Sequence, residues 1–183
     1  MIEDLEKRFP RGAGTPVLFA YIRYTDRYTK GQIFACLLRQ LLNDYPSVLP
    51  VIEETYETCQ RDKRRLTAGE MAQLLTQCLK TFEAAYMVFD ALDEFPESER
   101  DDLVRMLSTL PAKIAFTSRP LDRLHRILPN ASVIHIESGN GQDIELFVRS
   151  KIAGSSKLLG LMKSTEGLEA ETISKVQTKV QGM

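Results

Sequence analysis

The sequence predicts an α/β fold in which a parallel sheet carries helices on both faces. Short β-branched and aromatic runs alternate along the chain with segments whose apolar residues recur every three or four positions. The first of these runs, VLFAYIRY over residues 17–24, has the composition and length of a strand buried on both faces. Repeated strand and helix units of this kind build a parallel sheet, and 183 residues suffice for one such domain with part of a second.

Taken in order, Ile2, Leu5 and Phe9 form one helical face, which reads as a helix that begins before Met1. Residues 10–16, PRGAGTP, read as a turn. As a phosphate loop the stretch fails, because no Lys follows its glycines and it precedes a strand instead of a helix. After the strand at 17–24, Ile33, Phe34, Leu37, Leu38, Leu41 and Leu42 predict a core-facing helix that Pro46 ends. RDKRR at 61–65 reads as a solvated loop, the alternative being a nucleic-acid patch. Thr67 and Glu70 match a capping box, with Thr67 as N-cap, and Met71, Leu74, Leu75, Cys78, Leu79 and Phe82 supply the stripe of the helix that follows.

The second strand is expected over 86–91, followed by a helix carrying Leu103, Val104, Leu107 and Leu110. The third is KIAFT at 113–117, followed by Ser118-Arg119-Pro120 and a short helix with Leu121, Leu124 and Leu128. Residues 133–136 read as a fourth strand closed by SGNGQ. Beyond Asp143 the pattern is helical: Ile144, Phe147, Val148 and Ile152 mark one amphipathic helix and Ile173, Val176 and Val180 another.

The charge balance, 24 basic against 25 acidic residues, argues against a dedicated nucleic-acid binder or a polybasic anchor. The sequence has neither a membrane-length apolar run nor a signal-peptide core at its start, so an intracellular, cytoplasmic protein is expected. Cys36, Cys59 and Cys78 read as small reduced hydrophobes, and His125 and His135, far apart and without Cys or His nearby, as structural residues.

The chemistry concentrates in VFDALDE. Asp90 falls at the carboxyl end of the second strand, the edge at which open parallel sheets bind ligands. A carboxylate there can hold Mg²⁺ through its water shell, and Asp93 or Glu94, one turn further on, can orient or deprotonate an attacking water. The alternative is structural: Asp90 caps a turn, while Asp93, Glu94 and Glu97 favour the start of the next helix. Thr117, Ser118 and Arg119 bring two hydroxyls and a guanidinium to the same edge. Arg119 suits a γ-phosphate, or it pairs with Asp90 or Asp93 and does no chemistry.

Together these residues resemble the NACHT-type STAND P-loop NTPases, closest to the fungal NACHT proteins and those with a nephrocystin-like N-terminal region. VFDALDE is similar to their extended Walker B motif and IAFTSRP to their sensor strand, while FAYIRYTDRYTKGQIFACLLRQLL, ETYETCQRDKRRLTAGEMAQLL and IELFVRSKI resemble the segments around them. The resemblance implies a P-loop NTPase-like sheet over 1–137 and the start of a helical lid over 138–183. It implies Asp90 as the Mg²⁺-associated acid, Asp93 and Glu94 as hydrolytic acids, and Arg119 with Ser118 as phosphate contacts, ATP and Mg²⁺ being the cofactors of the complete domain.

It also implies the strand order 17–24, 86–91, 113–117, with the P-loop strand between the sensor strand and 133–136, so that without it residues 133–136 are expected to be unpaired, separated by a gap or displaced into the vacant place. No G-x-x-x-x-G-K-S/T occurs in the 183 residues, so the chain reads as a module that starts after its Walker A motif and ends, at KVQGM, within the lid. The expected role is part of a nucleotide-dependent oligomerisation switch in fungal innate immunity or regulated cell death, inactive alone. Its expected partners are other NACHT domains or flanking domains of its own, with no nucleic acid and no membrane span. The alternative is a non-enzymatic module that pairs with intact NACHT proteins.

Overall fold

A computed structural model of the chain describes residues 1–121, 123–134, 141–165 and 167–180. They fall into two compact units, Met1–Ala131 and Ser132–Met183. The first unit holds three parallel strands, β1 (Val17–Tyr21), β2 (Tyr86–Asp90) and β3 (Lys113–Phe116), in the order β1-β2-β3. Val17 lies opposite Tyr86, and Tyr86 opposite Lys113. This is the expected ladder, with the acid-bearing strand in the middle.

The helices of this unit are α1 (Ile2–Arg8), α2 (Lys30–Asp44), α3 (Leu49–Arg61), α4 (Ala68–Leu79), α5 (Glu97–Ser108) and the single turn α6 (Leu124–Ile127). Alternation along the strands sends Leu18, Ala20, Met87 and Phe89 to one face. There they share a continuous apolar core with Phe34, Leu37 and Leu41 of α2, Leu74 and Leu75 of α4, and Leu103, Val104 and Leu107 of α5. Full burial of each Leu, Val, Met or Phe side chain among them contributes about 1.5–3 kcal/mol. The opposite face meets α1, where Phe9 stacks on Tyr86 with ring centroids 4.9 Å apart.

The starts of α2 and α4 are fixed by side chains. Thr67 and Glu70 form the expected capping box at α4, and a second box, Thr29 with Gln32, opens α2. The Thr67 amide and hydroxyl, then Arg64, hold the Glu70 carboxyl below its ordinary range.

Two sequence expectations are corrected outright, the connection after Pro46 and the burial of Cys36. Residues 49–61, to which the sequence reading assigns no element between Pro46 and RDKRR, form α3, because Val51 and Ile52 pack against the core and Cys59 is buried. The RDKRR stretch itself is solvated, with Arg64 turned back onto Glu70 at 2.8 Å. Cys36 is exposed, whereas Cys59 and Cys78 are buried and burial pushes the Cys78 thiol up. Val133 and Ile134 lie in no strand, so the fourth strand read from their composition does not form in the described part of that segment, while its expected lack of a partner in the absence of the P-loop strand holds there. His135 and Ile136, the rest of that expected strand, lie outside the described residues.

The second unit contains α7 (Gly141–Ala153), α8 (Ser156–Ser164) and α9 (Leu168–Val180). Val148, Ile152 and Ile173 form its small core, surrounded by Ile144, Met162 and Val176. Phe147, expected on the apolar stripe, is exposed, and Lys151 Nζ lies 5.4 Å from its ring centre. The side chain of Val180 lies outside the described residues. No helix among the described residues is long and apolar enough to cross a membrane.

The two edges of the sheet differ. On the outer side of β1 the main chain of Phe19 meets the amide of Gln40, whose Oε1 accepts the Phe19 N–H at 3.1 Å while its Nε2 donates to the Phe19 carbonyl at 2.8 Å. One side chain thus stands in for a neighbouring strand, a way of blunting an edge. On β3, Lys113 and Thr117 donate to β2, so alternation turns the N–H and C=O groups of Ile114 and Phe116 to the other side, which is open in the sense that no strand lies there among the described residues. Replacing Gln40 by alanine is expected to cost about 1–2 kcal/mol, the scale of a part-buried main-chain donor and acceptor losing their partners. Urea denaturation checks this, and an unchanged midpoint would show that water replaces the amide without loss.

Candidate functional site

The acid-bearing turn sits where β2 ends. Ala91 takes a left-handed conformation, φ 57°, which stops the strand at Asp90 and turns the chain into the single 3₁₀ turn Leu92–Glu94. Positive φ is rare for a residue with a Cβ, so this bend is held by its surroundings. Thr117 provides much of that hold. Its hydroxyl donates to Asp90 Oδ1 and accepts the Ala91 N–H at 3.0 Å, and its carbonyl accepts the Leu92 N–H at 2.8 Å.

Each of the three acids holds a different neighbour. Asp90 binds the Thr117 hydroxyl, and its main-chain carbonyl accepts the Ile22 N–H at 3.0 Å. Asp93 pairs with Arg119, whose Nε lies 2.8 Å from Oδ2. Glu94 Oε2 accepts the Tyr24 N–H at 2.7 Å, fastening the loop after β1. Of the two partners the sequence left open for Arg119, Asp93 is the one it meets. Ser118 is exposed, and its hydroxyl has no partner among the described residues. Glu97 stands in the first turn of α5, as an acid favouring a helix start does.

Arg100 is a site residue that sequence reasoning missed. From the first turn of α5 its Nη2 donates to the carbonyls of Asp93 (2.6 Å) and Phe95 (2.7 Å), bracing the acid turn from behind. Its Nε is buried without a partner. A cation at a helix start is disfavoured by the helix dipole, so its presence in ESERDDL was the available signal.

Asp90 Oδ2 has no hydrogen-bond partner among the described residues, and no group of three or more Asp, Glu, His or Cys side chains there is arranged to hold a metal. A single carboxylate beside a hydroxyl fits Mg²⁺ held through its water shell and substrate phosphates, and does not fit an all-protein cage. The turn at 10–16, with Gly12 and Gly14 at φ 77° and 87°, leads into β1 and opens no helix, so it provides no phosphate cradle.

A three-stranded parallel sheet flanked by helices, with acids and an arginine gathered at its carboxyl edge, defines an α/β fold of the P-loop NTPase-like class. Residues 1–119 match the family model described as Nephrocystin 3, N-terminal, and the chain belongs to that family. The match runs from α1 through Arg119, so it contains the acid turn, and it links the chain to the NACHT and STAND NTPase architecture. No curated protein and no solved structure matches the chain.

Proposed function

We propose that this chain is the phosphate-reading half of a NACHT-type ATPase switch, with its P-loop supplied from outside these 183 residues. The observation that carries the reading is the placement of Asp90, Glu94 and Arg119 at the carboxyl edge of one sheet, in the turns that follow β2 and β3. In this reading Asp90 stands toward Mg²⁺, Glu94 orients the attacking water with Oε1, the oxygen that Tyr24 leaves free, and Arg119 contacts the γ-phosphate. Mg²⁺, when bound, neutralises phosphate charge. A strand carrying the P-loop adds to β3 at Ile114 and Phe116, because Gln40 closes the other edge. Residues 138–183 serve as the start of a lid, and the completed module assembles with other NACHT domains.

P-loop amides and their Lys make most phosphate contacts in this fold class. Calorimetry on the chain alone should therefore show no tight binding of Mg·ATP, and a micromolar Kd would refute the division of labour. The reading as a pairing module for intact NACHT proteins uses the same open β3 edge. It is favoured if adding the P-loop segment restores assembly but no turnover.

A further inference from the structure

Asp93 turns both of its oxygens to one neighbour. Oδ1 accepts the main-chain N–H of Arg119 at 3.2 Å and Oδ2 accepts its Nε–H at 2.8 Å. The carboxylate therefore grips the arginine at its root and along its side. Among the described residues nothing bonds either Nη, and the Arg119 side chain is 79% exposed against 13% for Asp93. The two Nη groups are thus left facing solvent as a fork whose spacing suits two oxygens of one phosphate.

The grip is itself anchored. Arg100 holds the Asp93 carbonyl, and Thr117 fixes the ends of both segments that Asp93 and Arg119 occupy. A carboxylate acting as a hydrolytic acid needs an oxygen free to face water. Both Asp93 oxygens are engaged by Arg119 and the Asp93 side chain is only 13% exposed, whereas Glu94 Oε1 has no partner among the described residues.

We propose that Asp93 is a positioning residue for Arg119, clamping its Nε so that the Nη fork is presented to a phosphate, and that Glu94 alone acts as the acid of the pair. The proposal rests on the reading of Arg119 as a phosphate contact. It makes a prediction opposite in sign to simple electrostatics. Removing a negative charge beside an anion site should strengthen anion binding, whereas removing a clamp should weaken it.

The probe is inorganic tripolyphosphate, titrated into the full chain at millimolar concentration and followed in ¹H–¹⁵N spectra that include the arginine Nε–Hε signals. In the unaltered chain the Arg119 Nε–Hε signal should move on titration. Asp93→Ala should weaken binding about two- to tenfold, the scale of ordering one rotamer-rich side chain. Arg119→Lys, an exposed change that keeps the charge and the fold, should weaken it as much as Arg119→Ala does.

If Asp93→Ala binds tripolyphosphate equally well or better while Arg119→Ala loses binding, the positioning role is overturned and the phosphate reading stands. Lysine serving as well as arginine at 119 overturns it too, and does not depend on the folding of Asp93→Ala. If the unaltered chain shows no binding that depends on Arg119, the phosphate reading falls and takes the proposal with it.

Discussion

Replacing Glu94 by glutamine, in a chain completed by a P-loop-bearing segment, should slow ATP hydrolysis by about a hundredfold or more while leaving Mg·ATP affinity nearly unchanged. Glutamine keeps the shape of the side chain and an oxygen to accept the Tyr24 N–H, so the loop after β1 stays fastened. What it loses is the basic carboxylate that, in the proposed reading, orients water. A fall in kcat with Kd preserved is the signature of an interaction that matters in the transition state. Equal turnover in the two proteins would return the acid turn to a purely structural role, that of tying the loops after β1 and β3 to β2.

A change of similar size is expected in stability from Phe89→Ala. Phe89 is fully buried in the middle strand, stacks on Phe116 with centroids 5.4 Å apart, and belongs to the core shared by α2, α4 and α5. Truncation at such a site costs about 3–5 kcal/mol, against a total of about 5–15 kcal/mol for a domain. The expected result is a first unit that is largely unfolded in mild urea. A loss below about 1 kcal/mol would mean that the core is not centred on β2.

The parts of the fold that were legible in the sequence are those where one element writes its own pattern. The stripes of α2, α4 and α5 and the apolar runs of the three strands needed only local periodicity. Helix α3 is hard to read because Pro50, Glu53, Glu54 and Glu57 dilute a stripe in which only Cys59 is buried. Strand β2 ends one residue early because Ala91 takes a positive φ, a bend that Gly would have announced and Ala does not.

For the site, sequence located the acids and the arginine but could not choose the partner of Arg119, which depends on how residues 26 apart in sequence meet across a strand edge. The Gln40 bracket on Phe19 was hidden for the same reason. A glutamine between helix positions looks like any solvated residue until the strand beside it is in place.

The open β3 edge is the centre of the functional reading, and residue-resolved hydrogen exchange tests it most directly. Exchange should be followed before and after addition of a P-loop-bearing segment to the full chain. The Ile114 and Phe116 amides, turned to the open side of β3, should become strongly protected, while Phe19, already held by Gln40, should change little. Protection appearing at β1 instead, or at neither edge, would contradict the account.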